Sequence, residues 1–137
     1  MGRKDTELWY EEVDFSDGTL FVLPGGMPGT KRLAAHEGLA ALLKEKNAEG
    51  KRLAAICAAP SVLGGLGLLK GRRAACYPGF EEALAGAEVS FDPVVVYGTV
   101  TTSRGMGTAI PFALALTEQL AGKEKADALA KGIIYAV

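Results

Sequence analysis

This sequence has few of the residues on which most metal and disulfide sites depend. Its 137 residues include two cysteines, Cys57 and Cys76, and one histidine, His36. Two cysteines are too few for a disulfide framework, and no Cys/His cluster has the spacing of metal ligands. We therefore expect no metal, no other cofactor, and a reducing, cytoplasmic location.

The chain also lacks long apolar runs and an excess of charge of either sign. No apolar stretch approaches the ~20 residues that cross a bilayer, and residues 1–7 lead into no apolar segment of a signal peptide. Fifteen basic and 16 acidic residues leave a net charge of −1, so nothing favours nucleic acid or a membrane as a partner. Without repeats or linkers, residues 1–137 are predicted to form a single soluble domain.

What the chain does contain is an abrupt change from an apolar run to a helix start. Residues 53–56 have the length and composition of a buried strand, and Pro60 suits the first turn of a helix. Cys57 is therefore predicted on a tight strand-to-helix turn, with the small residues Ala55 and Ala59 on either side. This pattern is typical of a nucleophile elbow, whose helix-start N–H groups favour the thiolate. The alternative is a buried cysteine that only packs.

Predicted strands and helices alternate along the chain. The predicted strands are residues 19–23, 53–56, 73–76, 88–91, 94–97 and 100–102, of which 94–97 has the β-branched content of an inner strand. The predicted helices are residues 29–47, a short segment after Cys57, 80–84, 108–120 and 124–131. This order indicates an α/β fold with a mostly parallel sheet and helices on both faces. Three loops, at residues 24–26, 57 and 102–107, would then meet at the carboxyl ends of strands.

The motifs in these three loops resemble those of the ThiJ/PfpI family, which includes parkinsonism-associated deglycases. The matching stretches are Val22-Leu-Pro-Gly-Gly26, Ala54-Ala-Ile-Cys-Ala-Ala-Pro60 and Thr102-Ser-Arg-Gly-Met-Gly-Thr108. Residues 122–135 also resemble the family's C-terminal helix. The resemblance extends over roughly residues 13–135, and the three motifs occur in the family's order and spacing.

The resemblance implies a flavodoxin-like three-layer sandwich that is usually a homodimer. It implies that Cys57 is the reactive residue and that backbone N–H groups near Gly25, Gly26 and Ala58 face an oxyanion. Such preorganised donors are typically worth ~3 kcal/mol each in acyl-type transition states.

Three further residues complete the candidate substrate-binding set. Tyr77 could orient a small carbonyl compound, or could only pack beside its Pro-Gly turn. Ser103 and Arg104 could shape the pocket or a dimer contact, and a solvated arginine at a loop is the competing interpretation.

The chain departs from the family pattern at two points. The family usually begins with a strand–helix unit that carries a glutamate hydrogen-bonded to the cysteine, and we expect this first unit to be absent here. Three explanations of this absence are left open: an incomplete gene product, a missing portion supplied by a partner or separate chain, and a rearranged strand pairing in an oligomer. Second, Ala58 replaces the histidine that follows the cysteine in protease-like members. His36, in the first predicted helix, is predicted to be an ordinary surface or partly buried residue rather than a base, so a Cys–His pair and protease activity are not expected.

The leading hypothesis is therefore cysteine-dependent, glyoxalase- or deglycase-like chemistry on small reactive aldehydes, with Cys57 as the nucleophile. One alternative is a non-catalytic redox sensor or stress chaperone that uses oxidation of Cys57. Another is an inactive truncated relative that acts only through its oligomer contacts.

Overall fold

The computed structural model describes residues 8–135, which form six strands and five helices. The strands are β1 (Leu20–Leu23), β2 (Arg52–Ile56), β3 (Arg73–Ala74), β4 (Glu88–Val89), β5 (Val94–Tyr97) and β6 (Val100–Ser103). The helices are α1 (Gly29–Ala35), α2 (Glu37–Ala48), α3 (Pro60–Gly65), α4 (Ala109–Ala121) and α5 (Lys123–Gly132). Single 3-10 turns occur at Tyr10–Glu12, Glu81–Ala83 and Met106–Thr108.

Four of the strands form one sheet in the order β1-β2-β6-β5. The first three are parallel, with Leu20 opposite Arg52 and Leu53 opposite Val100, whereas β5 is antiparallel to β6. The short strands β3 and β4 form a separate parallel pair. The predicted α/β class with a mostly parallel sheet is confirmed.

Helices cover both faces of this sheet. Successive residues of β2 point to opposite sides of the sheet, so neighbouring residues contact helices on different faces. Leu53 packs into the larger cluster, together with Leu43 of α2 and Leu63 of α3. Its neighbour Ala54 faces the other way and contacts Phe112 and Leu116 of α4. Burial on both faces explains why residues 53–56 read as an uninterrupted apolar run.

The prediction of a single helix over residues 29–47 is wrong, since the structure has two helices separated at His36. His36 has an extended backbone, with φ −81° and ψ 106°, and its Nδ1 accepts a hydrogen bond of 2.9 Å from the Leu39 N–H. The imidazole thereby satisfies one of the free N–H groups that begin α2. Apolar periodicity continues through such a break and gives no sign of it.

The prediction of an inner strand at residues 94–97 is also wrong. β5 is the last strand of the sheet and is antiparallel, so only Val95 of its residues is buried. Val96 is 46% exposed and Tyr97 is 44% exposed. A run of β-branched residues fits any pleated surface, so it does not indicate a position within a sheet.

Candidate active site

Cys57 follows β2 directly, in a backbone conformation that is rare for any residue except glycine. Its φ is +66°, a left-handed conformation that costs a non-glycine residue ~1–2 kcal/mol. Two hydrogen bonds hold it there: the Cys57 N–H donates to the Ser103 carbonyl at 3.0 Å, and the Cys57 carbonyl accepts from the Tyr77 N–H at 2.8 Å. Backbone strain retained by its surroundings is characteristic of functional sites. The side chain is half-buried, which leaves the thiol partly accessible.

The loop after β1 lies directly against this turn. A Cβ atom on Gly25 would stand 2.6 Å from the Cys57 Cβ and 2.7 Å from the Ile56 carbonyl oxygen, so only glycine fits. The next residue, Gly26, has φ +92°, and its carbonyl accepts from both the N–H and the hydroxyl of the buried Thr30, at 2.9 Å and 2.8 Å. The start of α1 therefore fixes the loop beside Cys57.

Three backbone donors of these two loops are unused. The N–H groups of Gly25, Gly26 and Ala58 have no hydrogen-bond partner among residues 8–135. Ala58 is buried and Gly25 is half-buried. Buried N–H groups are normally paired, and Gly26 is exposed, so its N–H can bond to water. The unpaired N–H of the buried Ala58, next to Cys57, is therefore the unusual one of the three.

Tyr77 lies between the cysteine turn and the loop after β6. Its backbone is held by Cys57, and its ring stands edge-on to Phe80, with 6.5 Å between the ring centres. On the other side a Cβ on Gly105 would be 3.4 Å from the tyrosine ring. Tyr77 is 48% exposed, so its ring is accessible.

Ser103 approaches Cys57 through its backbone, whereas its side chain is occupied elsewhere. The residue is completely buried, and its hydroxyl donates to the Pro93 carbonyl at 2.7 Å. It also shares a 2.6 Å hydrogen bond with the hydroxyl of Thr108, which in turn accepts from the Gly105 N–H at 3.0 Å. These contacts fix the loop after β6 and leave the serine hydroxyl no free donor for a substrate.

Arg104 places a positive charge over an aromatic ring. Its guanidinium carbon is 5.5 Å from the centre of the Phe91 ring, within the range of a cation–π contact. Its Nε is buried and has no hydrogen-bond partner in the described part of the chain. The arginine is half-buried, so it is not the fully solvated loop residue of the competing interpretation.

The second cysteine has a very different environment. Cys76 is buried, and burial raises the pKa of its thiol from 9.0 to about 11. The negative charge of Glu81 contributes in the same direction, and the positive charge of Arg104 opposes it. Cys76 is therefore a protonated, packed side chain at neutral pH.

No side chain between residues 8 and 135 forms a hydrogen bond with the Cys57 sulfur. His36 is occupied as the cap of α2 and lies against Tyr10, with 4.5 Å between the ring centres. The same part of the chain contains no group of three or more histidine, cysteine, aspartate or glutamate side chains arranged to hold a metal. No helix in it is both long and apolar enough to span a bilayer.

Sequence reasoning missed the side chains that hold the loops around Cys57. Thr30 stands four residues after Gly26, and Thr108 stands three residues after Gly105. Both spacings are typical of local threonine-to-backbone hydrogen bonds, so they were detectable signals. The pairing of Arg104 with Phe91 had no local signal, because it joins two separate segments.

Comparison with known proteins agrees with this geometry. The DJ-1/PfpI family matches residues 5–119. Protein DJ-1 homolog A of Arabidopsis thaliana is 47% identical over 111 residues, which is 79% of this chain but only 28% of that protein. Protein dj-1beta of Drosophila melanogaster is 41% identical over 134 residues, covering 96% of this chain and 71% of the relative. The chain thus spans about a quarter of the first relative and about seven tenths of the second.

Solved structures, and relatives that are named for an activity, are also similar to this chain. The crystal structure of Drosophila DJ-1beta matches with a TM-score of 0.82 and 40% identity, over 87% of this chain and 65% of that one. A glutathione-independent glyoxalase of Caenorhabditis elegans is 36% identical over 85% of this chain and 63% of its own length. A deglycase of Pyrococcus abyssi is 35% identical over 75% of this chain and 63% of its own length. A family match over most of the chain, the same fold and a cysteine at the strand-to-helix turn lead to one conclusion: this chain belongs to the DJ-1/PfpI family.

Proposed function

We propose that this protein converts small reactive aldehydes by glyoxalase- or deglycase-like chemistry with Cys57 as the nucleophile. The observation that carries the proposal is the left-handed Cys57, with φ +66°, on a turn against which the Gly25 backbone is packed. A conformation this costly persists only where its surroundings enforce it, and it leaves the thiol partly accessible. The names of the Caenorhabditis and Pyrococcus relatives support the same reaction class.

The first step is addition of the Cys57 thiolate to the aldehyde carbon. A carbon–sulfur bond forms, and the carbonyl π electrons move to the oxygen, which becomes an oxyanion. The unused N–H groups of Gly25, Gly26 and Ala58 would stabilise this charge. Tyr77 would orient the substrate, and Ser103 would act as a positioning residue through its carbonyl.

The remaining steps require a group that moves protons. For a 2-oxoaldehyde, a proton shifts from the former aldehyde carbon to the neighbouring carbon, which leaves a thioester on Cys57. Water then hydrolyses the carbon–sulfur bond and releases a 2-hydroxy acid and the free thiol. The net reaction adds one water to the aldehyde and leaves the cysteine unchanged.

The proposal is tested by aldehyde consumption in the Cys57→Ala variant, with Cys76→Ala as its matched control. We expect loss of turnover in the first variant and retained turnover in the second, because only Cys57 is accessible. Equal turnover by Cys57→Ala and the unaltered protein would refute the proposal.

Redox sensing by Cys57 is the second candidate. Oxidation to a sulfinate requires an accessible thiol and nearby anion-binding amides but no proton-shuttling carboxylate, which suits a sulfur without a side-chain hydrogen bond. Mild peroxide followed by mass spectrometry should place the added oxygen on Cys57. Equal oxidation of the buried Cys76 would count against this role.

We also propose that the chain works as a cytoplasmic homodimer, as its family resemblance implies. A reducing compartment would keep Cys57 available as a thiol. Light scattering on the purified protein tests the dimer directly. An inactive relative that acts only through such contacts would give a dimer without aldehyde turnover.

A further inference from the structure

His36 joins α1 to α2 and has a hydrogen bond to each of them. Its backbone N–H donates to the Leu33 carbonyl at 3.2 Å, where α1 ends, and its carbonyl accepts from the Ala40 N–H at 3.1 Å, where α2 begins. Its side chain caps α2, because Nδ1 accepts from the Leu39 N–H at 2.9 Å. This one residue therefore ends one helix and begins the next.

The cap requires the neutral imidazole. Nδ1 can accept a hydrogen bond only while it carries no proton, so the single ring proton of the capping form is on Nε2. A second proton on Nδ1 would turn this atom into a donor that faces the Leu39 N–H, and two donors cannot bond to each other. Serine, threonine and asparagine are common capping residues that stay uncharged, whereas histidine ordinarily gains its charge between pH 8 and pH 5. The start of α2 therefore depends on an acceptor that one proton abolishes.

Close packing restricts the imidazole to its capping position. The centre of its ring is 4.5 Å from that of the Tyr10 ring. A Cβ atom on Gly38 would stand 3.0 Å from Cε1 of His36 and 3.2 Å from Cε1 of Tyr10, so both rings lie against this glycine. A half-turn of the imidazole about its Cβ–Cγ bond would present a carbon atom to Leu39. Neither orientation of the protonated ring offers an acceptor, so protonation opens the cap.

The charged groups around His36 are mostly acidic. On the elements that contact it or lie next to it in the chain, they are Glu11, Glu12 and Asp14 of the segment before β1, Arg32 of α1 and Glu37 of α2. The strand β1 carries no charged side chain. The carboxylates and the face of the Tyr10 ring favour the imidazolium, whereas the positive end of the α2 dipole disfavours it. These opposing effects set the pH at which the proton binds, and they do not restore the acceptor that His36 loses.

The helix α1 connects this junction to the loop beside Cys57. Its first turn holds Gly26, whose carbonyl accepts from the N–H and the hydroxyl of Thr30 at 2.9 Å and 2.8 Å. Its last turn bonds to His36. Helices as short as the seven residues of α1 are not stable by themselves, so α1 depends on its anchors at both ends. Opening the junction at His36 would remove the support of one end.

We infer that His36 makes the α1–α2 junction pH-sensitive: when its imidazole gains a second proton, the cap of α2 opens and the junction loosens. The capping form has one proton fewer than the open form, so the closed junction is favoured as pH rises and the open junction as pH falls. The change is centred on the last turn of α1 and the first turn of α2. The inference does not depend on the chemistry proposed for Cys57.

Amide exchange of the full chain, measured by NMR at pH 7.5 and pH 5, tests the inference. The quantity to compare is the protection factor, by which the structure slows exchange relative to an unstructured peptide at the same pH. We expect the protection factor of Leu39 to fall about fivefold at pH 5, as for the loss of a helix cap. The Leu116 amide in α4 is the internal reference and should change less than about twofold. Imidazole nitrogen signals should show one proton, on Nε2, at pH 7.5 and two protons at pH 5.

Two variants separate the cap from other effects of acid. His36→Asn keeps an acceptor that does not titrate, so its Leu39 protection factor should differ less than about twofold between the two pH values. His36→Ala has no acceptor, and its Leu39 amide should exchange at both pH values as in the unaltered protein at pH 5. Because both variants lose the imidazole contact with Tyr10, they differ in the cap alone.

Three outcomes would overturn the inference. The first is an unchanged Leu39 protection factor at a pH where the imidazole signals show two protons. The second is an imidazole that stays neutral down to pH 5. The third is a loss of protection in His36→Asn as large as that in the unaltered protein, since another group would then be responsible.

Discussion

The two cysteines show how strongly the surroundings determine what a thiol can do. Cys57 stands at the end of β2 in a left-handed conformation, half-buried, with the Gly25 loop against it. Cys76 follows β3 after one residue, is buried, and has a pKa raised to about 11. The sequence provides the same functional group twice, and the fold exposes one and encloses the other. Four experiments test this contrast.

The largest expected effect is the difference in alkylation rate between the two thiols. Iodoacetamide at pH 8 should modify Cys57 at least about a hundred times faster than Cys76, since a thiol with a raised pKa has little thiolate and a buried one little access. Mass spectrometry of a time course measures both rates in one sample. Comparable rates would mean that the two environments do not differ in solution.

Gly25→Ala should disrupt the Cys57 site by steric overlap. The new Cβ would lie 2.6 Å from the Cys57 Cβ, so the two loops must separate at a cost of ~1–3 kcal/mol in unfolding free energy. Denaturant unfolding measures this loss, and alkylation of Cys57 reports the local change. The control is Gly29→Ala, where a Cβ meets nothing within 4 Å and stability should stay within ~0.5 kcal/mol.

Thr108→Val should loosen the loop that holds the Cys57 N–H. The substitution keeps the side-chain shape but removes the hydroxyl that bonds to Ser103 and Gly105. We expect a loss of ~1–2 kcal/mol in unfolding free energy. Thr117→Val, which removes an exposed hydroxyl that donates to the Ala113 carbonyl within α4, is the control and should have a smaller effect. Equal losses in the two variants would argue against a special role for Thr108.

The smallest effect near neutral pH is the contribution of Cys76, which becomes noticeable only above pH 9. Its folded pKa of about 11 is above the ordinary value of 9.0, so between these values the folded state retains a proton that the unfolded state loses. The stabilisation is therefore complete below pH 9 and declines as pH rises toward 11. Unfolding of the unaltered protein and of Cys76→Ala should show a steeper decline above pH 9 in the unaltered protein. Parallel curves would exclude this contribution.

Much of the fold could be predicted from local patterns. The strand before Cys57, the helix beginning at Pro60 and the loop motifs depend on residue types close together in the chain, and the structure has the strand and helix where they were predicted. The break at His36 could not be predicted, because an imidazole that caps a helix leaves the apolar spacing unchanged. The edge position of β5 could not be predicted either, because β-branched residues occur in edge and inner strands alike.

The same distinction applies to the candidate site. Local sequence patterns are enough to identify the candidate nucleophile, the small residues around it and the class of fold, since each depends on neighbours a few positions away. Only the folded chain shows that Gly25 must lack a side chain, that Arg104 lies on Phe91, and that β1 is the first strand of the described sheet. The physical reason is that these features arise from contacts between segments distant in the chain, whose relative positions are set by packing of the whole sheet and its helices.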